Sequence, residues 1–153
     1  MWAHLGLVGL AIPLALIDLR DHRLPDRLTL PLWGGSALVA LAAERDVALL
    51  GMLSSALVVL FLLLAAEWPG RPLGYGDVKL GGGLALQLGW YGLEWAWWGL
   101  ALGVFFGGIW ALGVLVMGKI GPDGQIPFGP WLLAGALVAL AQAVSLKNGL
   151  KII

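Results

Sequence analysis

The most constraining feature of this chain is a succession of long apolar runs that fill nearly its whole length. A bilayer core about 30 Å thick is crossed by a helix of roughly 20 apolar residues, with about 17 to 25 as the working range. Hydrophobic residues make up 60% of the 153 residues and charged residues 12%, about half the share in a soluble domain. These runs predict an all-α, polytopic membrane protein and argue against a water-soluble fold.

Charge clusters, prolines and glycines divide the chain into six apolar segments, which we interpret as about six transmembrane helices in a single domain, 1–153. The first segment lacks the basic start and small-residue cleavage site of a signal peptide, so we interpret it as a retained helix. The fourth is short and glycine-rich, and we expect a thin, buried or tilted segment. The predicted helices are 2–17, 28–43, 47–66, 78–88, 95–117, and one from 127 or 130 to 146.

The basic residues predict the orientation of the helices, because cytoplasmic loops are enriched in lysine and arginine. With six crossings, six basic residues lie on one side and three on the other, so the first side is expected to be cytoplasmic and both termini outside. A cluster of aromatic residues between the fourth and fifth segments fits an outer membrane interface. The two basic sets are Arg20, Arg23, Arg27, Arg71, Lys79 and Lys119, against Arg45, Lys147 and Lys151.

The amino-acid composition argues against several kinds of function. The formal net charge is zero, so no basic surface is available to hold nucleic acid. Cysteine is absent and histidine occurs twice, which argues against a metal or iron–sulfur centre, and we predict no metal and no cofactor. Gly99, Gly103, Gly107 and Ala111 recur every four residues, a spacing that predicts a stripe for close helix packing rather than chemistry.

The candidates for chemistry are aspartates in three segments at the predicted cytoplasmic side, 17–31, 74–80 and 126–130. Each aspartate also has a structural interpretation. Asp26 precedes an apolar run as a helix N-cap does, and Asp77 could cap the fourth helix. Asp18 lies at the C-terminal end of the first helix, where the macrodipole disfavours a carboxylate, although a nearby arginine could pair with it at the interface.

The functional interpretation pairs Asp18 with Asp77. Two close carboxyl groups share one proton, so the ionised group can deprotonate water while the protonated one polarises a peptide carbonyl. A helix N-terminus lowers the pKa of a carboxyl group, and on that ground we assign the base to Asp77. Gly74 and Gly76 lack a Cβ and would let a substrate strand approach the backbone beside Asp77.

These segments resemble the type IV prepilin peptidases, membrane aspartic peptidases with a Gly-x-Gly-Asp motif. One motif consists of Asp18 followed by Leu24-Pro25-Asp26 and Leu28-Thr29-Leu30-Pro31. The second is Gly74-Tyr75-Gly76-Asp77-Val78-Lys79-Leu80, and the third is Ile126-Pro127-Phe128-Gly129-Pro130. Three motifs in the expected order are a specific match, and they extend over most of the chain.

The resemblance implies that Asp18 and Asp77 are catalytic and that Asp26 has a less certain motif role. Motif positions with supporting roles are Gly74, Gly76, Lys79, Pro127 and Gly129. It further implies a multi-pass protein of the bacterial cytoplasmic (inner) membrane, which removes the basic leader of prepilins or pseudopilins after a glycine at the cytoplasmic face. Longer members carry a cysteine-containing cytoplasmic domain associated with methyl transfer; this sequence resembles the short form, and we expect no methyltransferase activity.

Two other kinds of function stay open at this point. A small proton-coupled transporter also uses intramembrane carboxylates, but it requires them deep within helices, whereas Asp18, Asp77 and Glu67 border loops. A noncatalytic membrane assembly protein of the same fold would be distinguished only by an activity measurement. The sequence does not indicate an oligomeric state or name the pilin.

Overall fold

The computed structural model of the chain describes residues 9, 13–14, 17–18, 26–42, 44–68, 73–118, 128–147 and 149. Within these ranges the chain forms helices and short turns and contains no strand. The all-α prediction is therefore confirmed for the described part of the chain. Its helices are α1 (Asp26–Ala42), α2 (Arg45–Ala66), α3 (Tyr75–Leu88), α4 (Leu93–Val116) and α5 (Gly129–Lys147).

The boundaries of these five helices agree with the predicted segments to within three residues at either end. Local signals explain this agreement, because prolines, glycines and charge clusters end helices whatever the tertiary packing around them. The first predicted segment lies mostly outside the described residues. Asp18, at which we expected that helix to have stopped, is itself helical.

Three of the described helices, α2, α4 and α5, are long and apolar enough to cross a membrane. Large apolar side chains on them are exposed, such as Leu64 on α2 and Leu112 on α4, as lipid contact requires. By contrast, α3 has 14 residues and rises only about 21 Å at 1.5 Å per residue. The prediction of six crossings is thus not confirmed by the helices described.

The short helix α3 lies in the interior of the bundle and contacts α1, α2, α4 and α5. Val78 and every residue from 80 to 89 are buried. Its glycines let neighbouring side chains approach the backbone: a Cβ on Gly81 would overlap Leu62, and one on Gly82 would overlap Val59. Burial thus agrees with the interpretation of the fourth apolar segment as an interior one, and it carries the Asp77 motif into the bundle.

Glycines also bring α4 and α5 into backbone contact, as the spacing of four residues predicted. A Cβ on Gly103 would lie 2.9 Å from the Cα of Leu132, and one on Gly107 would lie 3.0 Å from the Phe128 ring. Phe128 directly precedes α5. This packing therefore fixes the N-terminus of α5, where the third motif ends.

Candidate active site

Asp18 is bound to the start of α5. Its side chain is 4% exposed, and its Oδ2 accepts a hydrogen bond from the backbone N–H of Gly129 at 3.0 Å. The first N–H groups of a helix have no partner within that helix, and its N-terminal end carries partial positive charge. Gly129 therefore supplies a donor that stabilises a carboxylate, and this bond joins the first motif to the third across 111 positions of sequence.

Asp77 lies in the first turn of α3, outside the three membrane-spanning helices. The N-cap is Gly74 and not Asp77, whose backbone N–H donates to the Gly74 carbonyl at 3.0 Å. A Cβ on Gly74 would lie 3.5 Å from Asp77 Oδ2, an ordinary contact. The structure thus places Gly74 against the carboxyl group, but this contact by itself does not require glycine.

Burial raises the pKa of Asp77 from its ordinary value of 3.8 to about 7. The charge of Asp18 acts in the same direction, while a backbone hydrogen bond with Gly74 lowers the pKa. Because the Asp18 charge acts on Asp77, the two carboxyl groups belong to one electrostatic site. The raised pKa favours the protonated form of Asp77 compared with an ordinary aspartate, while Asp18 has a donor suited to the ionised form.

The direction of this pKa shift is opposite to the one expected from the sequence. We assigned the base to Asp77 because a helix N-terminus lowers the pKa of a carboxyl group. In the folded protein, loss of hydration outweighs that effect and raises the pKa. The expected direction of the shift was therefore wrong, while the identity of the base stays a prediction.

Of the other predicted site residues, some lie within the described part of the chain and some lie outside it. Gly76 is half-buried next to Asp77, whereas the side chain of Lys79 is exposed. Asp26 begins α1, but its side chain and Pro127 lie outside the described residues, so their roles stay predictions. In the ranges that the structure describes, no three His, Asp or Glu side chains converge on a possible metal position.

Sequence reasoning missed several contacts that hold α3 in place. The Trp33 indole N–H donates to the backbone oxygen of Lys79 at 2.6 Å, and Ser55 Oγ donates to that of Gly82 at 2.9 Å. Tyr75, inside the second motif, donates its hydroxyl to Glu67 at the end of α2. Tryptophan and serine within apolar segments are common, so no signal in the sequence singled these residues out.

The fold and the site define a class, a helical membrane protein in which Asp18 binds the N-terminal end of α5 and acts electrostatically on Asp77 at the start of α3. Comparison with protein families agrees. Residues 5–119 match the type IV leader peptidase family. The chain therefore belongs to that family.

Individual relatives agree with this assignment. The chain is 35% identical to a prepilin leader peptidase/N-methyltransferase of Aeromonas salmonicida over 95% of its own length and 51% of that protein. It is 38% identical to a protein of the same description from Dichelobacter nodosus, over 86% of this chain and 46% of that protein. The chain thus spans about half the length of these two relatives.

A relative of more similar extent is leader peptidase HopD of Salmonella typhimurium. The two proteins are 33% identical over 82% of this chain and 83% of HopD. No solved structure matches the sequence. The membrane bundle described above is therefore the region that this chain shares with both long and short relatives.

Proposed function

We propose that this chain is an aspartic endopeptidase that removes the basic leader from type IV prepilins or pilin-like secretion subunits. The observation that carries the proposal is the electrostatic pairing of half-buried Asp77 with buried Asp18, whose Oδ2 accepts a hydrogen bond from Gly129. The names of the relatives support the choice of substrate, since they are described as prepilin leader peptidases.

The two carboxyl groups divide the work of hydrolysis. Asp18, as the carboxylate, accepts a proton from a water molecule, whose oxygen adds to the carbonyl carbon of the scissile peptide. Asp77, as the acid, donates its proton to the carbonyl oxygen, so negative charge does not build up there. The tetrahedral intermediate then breaks its C–N bond, and the proton taken up by Asp18 passes to the departing amine. As the carbonyl of the new carboxyl terminus re-forms, one hydroxyl of the intermediate returns a proton to Asp77, which restores both groups.

The proposal includes a location, the bacterial cytoplasmic membrane with the site open to the cytoplasm. It is supported by the three apolar helices and by the excess of basic residues in loops that six crossings would place on one side. The start of α3 is a suitable entry for water, because α3 is too short to fill the membrane thickness. Asp77 is at that end of the helix.

The test is cleavage of a purified type IV prepilin by the purified protein in detergent, followed by mass spectrometry of both products. Cleavage at a single bond next to a glycine, at the end of the basic leader, is the expected result. The negative control is the double variant Asp18→Asn/Asp77→Asn, which should be inactive. The matched control is Asp46→Asn, which changes an exposed carboxylate at the start of α2 and should remain active. Cleavage that persists in the double variant would refute the proposal.

A further inference from the structure

The orientation of α3 decides where Asp77 points, and one side chain of α1 binds directly beside it. The Trp33 indole N–H donates to the backbone oxygen of Lys79 at 2.6 Å. Lys79 follows Asp77 by two residues, so the hydrogen bond holds the same stretch of helix that carries the carboxyl group. The contact joins residues 46 positions apart and therefore ties α1 to α3 near the site.

The Trp33 ring also fits closely against α3. A Cβ on Gly82 would lie 2.5 Å from Trp33 Cζ2, and one on Gly83 would lie 3.2 Å from Trp33 Cδ1. The glycines of α3 thus form a notch into which the indole fits, and its N–H points at the helix backbone. Rotation of α3 about its axis would drive backbone or side chains into this ring.

Helix α2 supports α3 at the same level. Ser55 Oγ donates to the Gly82 carbonyl at 2.9 Å, and Leu62 occupies the space beside Gly81. These contacts restrain α3 along its length. Trp33 adds a hydrogen bond close to the first turn, where a small rotation changes the direction of the Asp77 side chain most directly.

We propose that Trp33 is a positioning residue, whose indole N–H holds the start of α3 so that Asp77 faces Asp18. Trp33 does not take part in the chemistry. Its loss is expected to lower kcat while leaving KM nearly unchanged, because the carboxyl groups separate but the substrate surface is retained. The proposal rests on the proposed peptidase function only for this kinetic readout.

A readout independent of activity uses the absence of cysteine from the chain. In the variant Asp18→Cys/Asp77→Cys, the two thiols are the only ones present, and a short bismaleimide measures how often they meet. Adding Trp33→Phe is expected to lower the cross-linking yield about three- to tenfold, the effect of losing one intramolecular hydrogen bond. Yields are compared at equal amounts of folded protein in detergent.

The matched control is Trp98→Phe in the same background. Trp98 also donates its indole N–H, to Gln142 Oε1 at 2.8 Å, but it lies in α4 near the other end of the bundle. This control should leave the cross-linking yield unchanged. An equal loss in both variants would mean general loosening of the bundle and would overturn the proposal.

A second variant separates the hydrogen bond from the shape of the ring. Benzothienylalanine at position 33 keeps the bicyclic shape and replaces the N–H by sulfur, so it is expected to lower cross-linking as Trp33→Phe does. An unchanged yield with this residue would overturn the proposal. If the unaltered chain cleaves no prepilin, the proposed function fails, while the cross-linking result still decides the role of Trp33.

Discussion

Two polar clusters lie along α3, and they differ in charge. The carboxyl cluster consists of Asp18, Asp77 and the backbone N–H of Gly129. The amide cluster consists of Gln87 and Ser36, ten residues further along α3, a rise of about 15 Å. Both clusters join α3 to another part of the bundle, but only the first contains groups that can exchange protons near neutral pH.

The amide cluster has the features of a structural contact. Gln87 is 2% exposed and donates through Nε2 to Ser36 Oγ at 2.7 Å, and Ser36 in turn donates to the Leu32 carbonyl at 2.6 Å. Such neutral groups stabilise a fold by satisfying each other. Among the residues that the structure describes, Gln87 Oε1 has no hydrogen-bond partner, so this contact is stabilising but not optimal.

The carboxyl cluster is arranged in the opposite way. Burial and the Asp18 charge both disfavour ionisation of Asp77, which costs stability at neutral pH. Neutral polar side chains at the same positions would avoid this cost. Polar groups inside the bundle therefore serve helix packing in one cluster, and in the other they form an unfavourable electrostatic arrangement of the kind that the proposed proton transfer would need.

The largest expected effect comes from removing either carboxyl group. Asp18→Asn and Asp77→Asn should each lower kcat at least about a hundredfold, and each should be as inactive as the double variant, because the pair acts as a unit. The measurement is single-turnover cleavage of prepilin at equal abundance of folded protein. Additive effects of the two single changes would show that the carboxyl groups act separately.

The next largest effect concerns the donor to Asp18. Gly129→Pro removes the N–H at the start of α5, where proline is otherwise tolerated, and should lower kcat about tenfold or more through loss of a hydrogen bond to a charged group. Gly129→Ala retains the N–H and serves as the control. If both variants lose activity equally, steric crowding at buried Gly129 is the cause and the hydrogen bond is not.

The pH dependence of cleavage reports on Asp77. Asp77 keeps its proton at pH values below its pKa of about 7. We therefore expect kcat to fall about tenfold per pH unit as the pH rises above that value. The free energy of unfolding depends on the same group. The unfolded chain ionises this carboxyl group near pH 3.8, so the folded protein should lose stability as the pH rises from about 4 to about 7. Thermal unfolding of Asp77→Asn should lack this dependence.

The smallest effect on cleavage is expected from the amide cluster. Ser36→Ala removes the partner of the Gln87 amide and should destabilise the protein by about 1–3 kcal/mol, with kcat per folded molecule unchanged. Adding Gln87→Leu should restore part of this stability, because both polar groups are then removed together. The measurements are the melting temperatures and cleavage rates of the unaltered protein, Ser36→Ala, Gln87→Leu and the double variant. A large fall in kcat in these variants would show that the amide cluster also supports catalysis.

The helices, the class of protein and the candidate aspartates could all be predicted from the amino-acid sequence alone. Helix boundaries depend on local residues such as Pro127 and the charges around Arg45, and apolar runs specify a membrane environment without knowledge of packing. Asp18 was singled out because a carboxylate is poorly placed at a helix C-terminus. Each of these signals acts over a few residues and is therefore visible in one sequence.

The tertiary structure was needed to see how α3 is buried, which group donates to Asp18 and in which direction the pKa of Asp77 shifts. The Gly129 donor is 111 residues from Asp18, and Trp33 is 46 residues from the carbonyl it binds. The raised pKa of Asp77 depends on how much water the surrounding helices exclude, and it overrides the local effect of the helix N-terminus. Desolvation and long-range contacts arise from packing, so no local pattern specifies them.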